Sequence, residues 1–442
     1  MPKLITTRTR IEDLGKPRII VIGGGFGGLE VIKSLRGAKV QSVLFDKNNH
    51  HTFQPLLYQV ATSGLETSSI VAPFRKMFGR YQDFYFRLAD VKKIRAEEKY
   101  IETSIGEVKY DYLVIATGAV TNFYGMEEVQ KNSSSMKNIV DATKIRNKII
   151  RQMEYALLTE DREMMNSLMD FVIVGGGPTG VELCGALSEL KKNVFPQDYK
   201  ELDLGEMDIN LVEASPRLLN GMSEQAGKKA LEFLTKMGVK VHLNTAVKSY
   251  DGYEILLSTG EKIISRTLIW AAGVTGNPIA GLDSEVTAKG NRLLVDEFNR
   301  VKGHDSIFAI GDVALMEGDK KFPKGHPQMA PPAQQQGKLV AKNIIRLIGK
   351  QPMKAFSYFD KGSMATIGRN KAVVDMKGGI RFQGVFAWYV WMFVHLMSIV
   401  GFRNKVFTFF SWMWNYFSYD RSNRLIIGRG EEKINQEEIK AA

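Results

Sequence analysis

The sequence predicts an α/β protein built from two similar dinucleotide-binding domains, followed by a C-terminal segment of a different kind. A glycine-rich turn follows a short apolar run twice, at residues 19–28 and 171–180. Each turn is followed by a second apolar run that ends in glycine, after 95 residues in the first copy and 98 in the second. Matched spacing at two pairs of motifs indicates a duplicated structural unit. Beyond the duplication, four of the five tryptophans fall between positions 388 and 414.

The first turn, PRIIVIGGGFGGLE, places Gly23, Gly25 and Gly28 in the spacing GxGxxG. In a Rossmann-like fold, the first glycine allows the turn from strand to helix. The second lets a pyrophosphate approach the backbone, and the third packs the helix on the strand. Asp46 ends the next apolar run, 18 residues after Gly28, where a carboxylate accepts a hydrogen bond from a ribose hydroxyl. The pattern predicts a dinucleotide at a helix N-terminus, with a plain glycine turn as the alternative.

The second turn, FVIVGGGPTGVELCGAL, repeats the spacing with Gly175, Gly177 and Gly180. Glu213 ends the following apolar run, 33 residues after Gly180, so an additional loop is expected between them. An acid at this position favours the free 2′-hydroxyl of NADH and repels the 2′-phosphate of NADPH. The second domain is therefore predicted to bind NADH.

The later apolar run of each domain ends in small residues that suit a tight turn beside a bound cofactor. YDYLVIATG ends with Ala116, Thr117 and Gly118, and RTLIWAAG ends with Ala272 and Gly273. These five residues are predicted to contact the two dinucleotides.

A third motif, SIFAIGDVA, carries Gly311 and Asp312 out of another apolar run. Together with the two fingerprints, it makes residues 17–350 resemble the flavoprotein reductases that have two dinucleotide-binding domains. That resemblance implies FAD at the first fingerprint and NAD(P)H at the second. It also implies that Asp312 contacts the ribityl–phosphate part of FAD, and that a hydride passes between the two cofactors.

The electron acceptor divides this group of enzymes, and the cysteine content narrows the choice. Disulfide reductases and sulfide:quinone oxidoreductases use redox-active thiols near the flavin, but Cys184 is the only cysteine of the chain. No disulfide or CxxC pair can form within it. Cys184 lies within the predicted helix after Gly180 and is expected to be a packed core thiol.

Two stretches, NHHTFQPLLYQVATSGL and GHPQMAPPAQQQGKLVAKNI, resemble the type II NADH:quinone oxidoreductases. The resemblance implies a single-subunit, non-proton-pumping FAD enzyme attached to one membrane leaflet. The quinone-site motif of that family is AQxAxQ. In this chain Pro331 replaces its first glutamine, whereas Gln335 retains the second and is followed by Gln336. A glutamine amide can donate to a quinone carbonyl without titrating. The alternative is that these glutamines form only the polar first turn of a helix.

Glu182 comes two residues after Gly180, near the start of the second fingerprint helix. A carboxylate there is favoured by the helix dipole alone. The resemblance implies a position near the nicotinamide and the flavin, so Glu182 is predicted to position the nicotinamide. His50 and His51 either line the flavin cleft or lie in an exposed loop. The six histidines and one cysteine show no metal-ligand spacing, and no metal is predicted.

The tail contains no charged residue over residues 382–402, a stretch of 21 that is long enough to cross a bilayer. Its polar residues instead recur on one helical face. His395 and Ser398 share a face with Trp388 and Trp391, and after a break the stripe resumes within GFRNK, at Asn404, and continues at Thr408, Ser411, Asn415 and Ser418. This pattern predicts amphipathic helices that lie in the membrane interface. A dimer interface, a buried core hairpin and a spanning helix are the alternatives.

The net charge of +12 comes from scattered basic residues rather than from a Lys/Arg block. This distribution suits an anionic membrane surface and does not indicate nucleic-acid binding. A single cysteine favours a reducing compartment. The expected location is peripheral and monotopic, on the cytoplasmic face of the inner or plasma membrane.

The sequence thus predicts an FAD domain at residues 17–125 and 291–350, an NADH domain at 126–290 and a membrane-anchoring segment at 351–442. The expected reaction is FAD-dependent oxidation of NADH with two-electron reduction of a membrane quinone. Menaquinone, ubiquinone and plastoquinone are equally compatible, and a homodimer through the tail is compatible too. One alternative is a soluble reductase that donates electrons to a ferredoxin- or rubredoxin-like protein. Another is a flavoprotein scaffold with vestigial redox activity.

Overall fold

Six stretches of the chain alternate between two structural units. The computed structural model describes residues 9–428. Unit 1 comprises residues 9–51, 72–120 and 274–361, and unit 2 comprises residues 52–71, 121–273 and 362–428. The described part of the tail is divided accordingly, with residues 351–361 in unit 1 and residues from 362 onward in unit 2. Short strands lie where the chain passes from one unit to the other: His50–Thr52, Val71–Pro73, Ala119–Thr121 and Val274–Gly276.

Unit 1 is built on a five-stranded parallel sheet. Its strand order is Ile307–Ala309, Tyr112–Ile115, Arg18–Ile22, Gln41–Asp46 and Phe84–Leu88. The edge strand Ile307–Ala309 follows the whole central part of unit 2 in the sequence, so this Rossmann-like fold is discontinuous, as predicted. Smaller sheets and helices complete the unit: strands Val91–Arg95, Tyr100–Thr103, Gly106–Lys109, Thr287–Ala288, Arg292–Val295 and Ala314–Met316, helices Phe26–Ser34, Phe74–Phe78 and Ala330–Ile348, and 3₁₀ turns Ser284–Val286 and Gly311–Val313.

Two glycines let the two long helices of unit 1 approach each other closely. Helix Phe26–Ser34 follows the first glycine turn and packs on helix Ala330–Ile348, which carries Gln335 and Gln336. A Cβ atom at Gly337 would lie 2.5 Å from the carbonyl oxygen of Gly27. This backbone contact positions the glutamine-bearing helix directly against the first glycine turn.

Unit 2 repeats the design with a second five-stranded parallel sheet. Its order is Ser134–Ser135, Thr267–Trp270, Phe171–Val174, Ile209–Val212 and Val239–His242. The predicted pair of Rossmann-like folds is therefore confirmed. The remaining elements before residue 273 are strands Val247–Tyr250, Glu254–Leu257 and Lys262–Ile264, helices Leu57–Ala61, Glu127–Asn132, Ile139–Ala156, Arg162–Met169, Pro178–Asn193, Phe195–Asp198 and Glu224–Lys236, and 3₁₀ turns Gln54–Leu56 and Thr67–Ser69.

The tail joins unit 2 through an antiparallel sheet of strands Ser363–Gly368, Lys371–Asp375 and Arg381–Gln383. The first of these strands packs on helix Pro178–Asn193, where a Cβ atom at Gly185 would lie 1.7 Å from the carbonyl oxygen of Ile367. Cys184 is fully buried in the same helix, as a packed core thiol whose pKa is raised by burial.

Two helices follow this sheet, and we call them the tail hairpin: the first tail helix, Val385–Ser398, and the second tail helix, Phe402–Ser418. The uncharged stretch is thus broken before residue 402, at Gly401, which has a φ of +90°. Within residues 9–428, no helix has both the length and the apolarity to cross a membrane.

Candidate functional site

The first glycine turn has room for a ligand only at its second glycine. A Cβ atom at Gly23 would lie 2.3 Å from the carbonyl oxygen of Ala116, and one at Gly28 would lie 1.9 Å from that of Gly23. A Cβ atom at Gly25 would meet nothing within 4 Å. Helix Phe26–Ser34 begins there without a side-chain cap or an acidic residue in its first turn. Its first N–H groups therefore suit an anionic pyrophosphate.

Asp46 anchors this turn from the end of the neighbouring strand. Its carboxylate accepts hydrogen bonds from the backbone N–H of Gly24, at 2.7 Å, and of Asn48, at 2.6 Å. Burial raises the pKa of Asp46. A carboxylate held beside the glycine turn can accept a ribose hydroxyl, as predicted for the adenosine end of a dinucleotide.

His51 supports the same turn from behind. Its Nδ1 lies 3.0 Å from the carbonyl oxygen of Gly24, and its ring packs edge-on against Phe26. Burial lowers the pKa of His51 to about 4, so the ring is neutral at pH 7. His50 lies nearer the surface and contacts the side chain of Asn49. His51 is thus a buried support of the glycine turn rather than an exposed loop residue.

The other predicted contacts of unit 1 lie on neighbouring strand ends. Ala116 follows the strand beside Arg18–Ile22, and its N–H donates to the carbonyl oxygen of Ile22. The Thr117 hydroxyl is buried and makes no hydrogen bond within residues 9–428, whereas Gly118 has a φ of +69°. An unsatisfied buried hydroxyl beside an open glycine turn is what a cofactor with polar edges would satisfy, so these residues fit FAD.

Both glutamines of the quinone motif are hydrogen-bonded to backbone groups. Gln336 accepts the N–H of Gly311 at 2.7 Å, and so fixes the turn that carries Asp312. Gln335 forms two hydrogen bonds of 2.9 Å with the N–H and C=O of Phe359. These hydrogen bonds fix the neighbouring backbone. Because a primary amide has two N–H donors, each side chain still has an amide hydrogen that can donate to a ligand.

The second glycine turn repeats the geometry of the first. Cβ atoms at Gly175 and Gly180 would strike backbone atoms at 2.8 and 1.9 Å, whereas one at Gly177 would meet nothing within 4 Å. Glu213 accepts the N–H groups of Gly176 and Ser215, as Asp46 does for Gly24 and Asn48. Helix Pro178–Asn193 starts at this turn without a side-chain cap or a first-turn acid.

The last strand of this sheet places Ala272 and Gly273 beside the second turn. Gly273 has a φ of +77°, and a Cβ atom there would lie 2.2 Å from the Tyr124 hydroxyl. Ala272 accepts a hydrogen bond from the indole of Trp270, which fixes the end of the strand. Unit 2 thus brings together the residues that were predicted to contact its dinucleotide: the second glycine turn, Glu213 and these small residues.

Glu182 lies one turn beyond the helix start, so the helix dipole does not explain it. Its side chain is buried, with the backbone N–H of Thr366 at 3.4 Å and the indole of Trp391 facing it. Burial raises its pKa to about 8, so the carboxyl is mostly neutral at pH 7. A neutral carboxyl can donate a hydrogen bond or a proton as well as accept one.

Sequence reasoning missed Tyr58, Thr366 and Trp391 around this acid. Tyr58 is fully buried, and both burial and the nearby Glu182 raise the pKa of its phenol. The sequence signal for Tyr58 was its position within NHHTFQPLLYQVATSGL, the stretch that resembles the type II NADH:quinone oxidoreductases. Thr366 contributes only a backbone N–H, which leaves no mark in the sequence.

The second tail helix turns most of its predicted polar stripe toward the protein, with Ser418 exposed at its end, and most of its aromatic residues outward. Asn404 donates to the carbonyl oxygen of Val71 at 2.8 Å, and Asn415 donates to that of Gly64 at 2.9 Å. Thr408 is fully buried between them. The outward surface, which we call the aromatic face, consists of exposed side chains from both tail helices: Phe386, Phe393, Phe402, Phe410, Trp414 and Phe417.

The chain matches two protein-family models in sequence. Residues 17–337 match the pyridine nucleotide-disulphide oxidoreductases, and residues 361–419 match the NDH2 C-terminal domain. The second match covers the tail hairpin.

Individual proteins show the same relationship. The chain is 34% identical over 411 residues to the type II NADH:quinone oxidoreductase NdhA of Mycobacterium tuberculosis, covering 90% of this chain and 87% of that one. It is 29% identical to the type II NADH:quinone oxidoreductase of Haemophilus influenzae, covering 86% and 92%. NDH2 from Plasmodium falciparum, solved in complex with NADH, shares the fold with a TM-score of 0.85 at 22% identity, covering 93% of this chain and all of that one. The chain belongs to the type II NADH:quinone oxidoreductases, within the pyridine nucleotide-disulphide oxidoreductase family.

Proposed function

We propose that this protein oxidises NADH and reduces a quinone by two electrons at a membrane surface, with FAD as its cofactor and without pumping protons. The observation that carries the proposal is the repeated geometry of the two glycine turns. Each is open only at its second glycine and has an acid at the neighbouring strand end. Two such sites in one chain suit two dinucleotides.

We assign FAD to the first turn and NADH to the second. Gly23, Gly25 and Gly28, with Asp46, bind the adenosine and pyrophosphate end of FAD, and Ala116 to Gly118 and Asp312 contact the remainder. When bound, FAD would supply the redox chemistry that links the oxidation of NADH to the reduction of the quinone. In unit 2, Glu213 accepts the ribose hydroxyls of NADH and disfavours NADPH.

Three polar side chains act on the substrates in this proposal. Glu182 positions the nicotinamide, and its neutral carboxyl can donate at pH 7. Gln335 and Gln336 each retain an amide hydrogen beyond their backbone bonds, and we propose that these donate to a quinone carbonyl. The backbone bonds hold both amides in place before the substrate arrives, which favours binding.

We further propose that the aromatic face inserts into the membrane interface, on the cytoplasmic side where NADH is available. Phe402 is 83% exposed and Phe417 is 77% exposed, although their helix buries the polar residues Asn404 and Thr408. Removing one such side chain from water contributes about 1.5–3 kcal/mol, whereas a basic residue near an anionic leaflet contributes about 1 kcal/mol. Insertion therefore dominates attachment, and charge orients the protein. A homodimer through the same face is the competing arrangement.

Anaerobic stopped-flow absorbance of the flavin tests the redox proposal directly. Rapid bleaching with NADH, slower bleaching with NADPH and rapid recovery on adding a short-chain quinone are expected. Bleaching without recovery would contradict the quinone as acceptor. Equal bleaching by both nucleotides would contradict the role of Glu213.

A further inference from the structure

A cavity of about 110 Å³ lies inside unit 2, between helix Pro178–Asn193 and the tail hairpin. Its volume accommodates roughly seven to eleven water molecules, since each needs roughly 10–15 Å³ of such space. Glu182 and Tyr58 line it from the body of the unit, and Trp388, Trp391 and Trp412 line it from the hairpin. The hairpin thus forms one wall of the space beside a buried acid.

Trp391 is held firmly on this wall. Its side chain is only 1% exposed. The indole stacks on His395 with ring centres 4.1 Å apart, and it packs against Trp412 at 5.8 Å and Tyr58 at 6.5 Å. Contacts on three sides leave the ring little rotational freedom.

The indole N–H of Trp391 is unsatisfied: within residues 9–428, its buried Nε1 has no hydrogen-bond partner. Trp391 and Glu182 line the same cavity. The Trp391 N–H acts to lower the pKa of that carboxyl, against the larger effect of burial. A buried indole N–H usually finds a partner, and a charged carboxylate would be a stronger acceptor than a neutral carboxyl.

In the described part of the chain, the hydrogen bond that Glu182 accepts comes from the backbone N–H of Thr366, at a long 3.4 Å. Loss of the proton would leave a carboxylate in a buried site, where an unsatisfied charge is costly. The indole of Trp391 is the side-chain donor in place to offset that cost.

We propose that Trp391 is a positioning residue, whose indole N–H orients the Glu182 carboxyl and stabilises its carboxylate after it has given a proton to the substrates. The inference rests on the proposed function, in which NADH, quinone and one proton from the medium yield NAD⁺ and quinol. NADH supplies two electrons and one proton as a hydride. The O–H bond of Glu182 breaks to supply the second proton to a quinone oxygen, and water in the cavity returns it.

The tail hairpin then contributes to the chemistry as well as to attachment. The first tail helix exposes Phe386 and Phe393 on its outer side, and on its inner side it places Trp391 in the wall of the cavity that Glu182 also lines. The other ionisable side chains that line the cavity are Tyr58, Glu189, Arg369, Tyr416, Tyr419 and Arg421.

Infrared spectroscopy of the holoenzyme tests the contact without relying on turnover. The carboxyl band of Glu182 is identified by its loss in E182Q and followed against pH. Because an N–H donor favours the charged form, W391F is expected to raise the pKa of Glu182 by about one unit. W388F removes an indole from the same helix and cavity, and should leave that pKa in place. W391H retains a ring N–H, so the pKa of Glu182 in this variant should lie between those of W391F and the wild type. An unchanged pKa in W391F, or equal shifts in W391F and W388F, would overturn the proposal.

A double-mutant cycle tests whether Trp391 acts through Glu182. W391F is expected to slow quinone reduction about tenfold with Glu182 present and less than twofold in the E182Q background, because one pKa unit corresponds to a factor of ten. The KM for NADH should change little. Equal losses in both backgrounds would show a purely structural role. If wild-type protein reduces no quinone, the proposed function fails, while the infrared titration still decides whether the two side chains interact.

Discussion

At the third glycine of each turn a side chain would strike the main chain, whereas at the second it would meet only open space. The three glycines of one motif therefore have different physical roles. The first and third are required by the fold, and the second is the one that leaves space for a ligand. This distinction was stated from the spacing alone, and the backbone approaches at Gly23 and Gly28 agree with it.

Substitution at these positions should separate stability from cofactor binding. We expect G28A to destabilise the protein by about 1–3 kcal/mol, since overpacking a rigid site has that cost. G25A should leave the melting temperature of the flavin-free protein within about 2 °C, but weaken FAD binding at least tenfold by blocking the approach of the pyrophosphate. Thermal melts and flavin fluorescence titrations measure the two effects. Normal FAD affinity in G25A would contradict the assignment of the first turn.

The raised pKa of Glu182 predicts how stability depends on pH. An ordinary glutamate in the unfolded chain loses its proton near its usual pKa of 4.5, whereas the folded protein retains it until about pH 8. The folded state therefore binds more protons in that window, and the contribution of Glu182 to stability falls as the pH rises through it. The upper limit is about 1.4 kcal/mol per pH unit.

E182Q should remove this dependence. We would measure the unfolding free energies of the wild type and E182Q by urea denaturation at several pH values between 5 and 8. The mutant should become more stable relative to the wild type as the pH rises. Parallel curves would show that Glu182 is charged at neutral pH in the folded protein.

Around Glu182 the sequence indicated the acid but not its surroundings. The fingerprint located the residue on a helix, and the spacing predicted that helix well. Its neutral state results from burial, and its neighbours Tyr58, Thr366 and Trp391 come from three distant parts of the chain. Proximity of that kind depends on tertiary packing, and a single sequence contains no direct signal for it.

At the scale of elements, the second tail helix has the reverse of the usual amphipathic arrangement. The stripe of polar residues was predicted from its period, and so was the break between the two helices. The direction of the stripe was not predictable, because the period of a helix does not say which face meets the protein. The stripe faces inward because Asn404 and Asn415 donate to backbone carbonyl oxygens of Val71 and Gly64.

Acidic substitutions on the aromatic face should weaken membrane binding without harming the fold. In F402E/F417E two large apolar side chains are lost from the inserted surface, at about 1.5–3 kcal/mol each, so partitioning should fall at least a hundredfold. Sedimentation with phosphatidylglycerol-containing vesicles measures this. L158E changes a side chain of comparable exposure, 65%, elsewhere in unit 2 and should bind as wild type does. Undiminished vesicle binding by the double variant, with a loss of dimers instead, would favour the homodimer.

At the scale of the whole molecule, the duplicated design makes the two nucleotide assignments separable. The matched spacing of motifs, 95 residues in one copy and 98 in the other, predicted two similar folds. The interrupted order of strands in unit 1 follows from inserting one into the other. Transitions between the units lie at 51/52, 71/72, 120/121, 273/274 and 361/362, whereas the sequence predicts domain limits at 125/126, 290/291 and 350/351. Limits of this kind depend on which contacts the chain makes in space, so composition locates them only approximately.

Hydrogen exchange of flavin-free protein tests the assignment. Adding FAD should slow amide exchange at residues 23–28 and 116–118, and adding NAD⁺ afterwards should slow it at residues 175–180. FAD should also raise the melting temperature, since a ligand that binds only the folded state stabilises that state. At a ligand concentration of a hundred times the Kd, the stabilisation is about 2.7 kcal/mol. Slower exchange at residues 175–180 with FAD alone would reverse the assignment.

The inward polar stripe of the second tail helix has a practical consequence for purification. Attachment through phenylalanines depends weakly on ionic strength, whereas attraction between scattered lysines and anionic headgroups is screened within about 3 Å in 1 M salt. A high-salt wash should therefore leave the protein on isolated membranes, and mild detergent should release it. The asparagines of the second tail helix are hydrogen-bonded to the body of the protein and do not make the outer surface of the hairpin polar. The released protein should therefore keep detergent bound to the apolar surface of the hairpin.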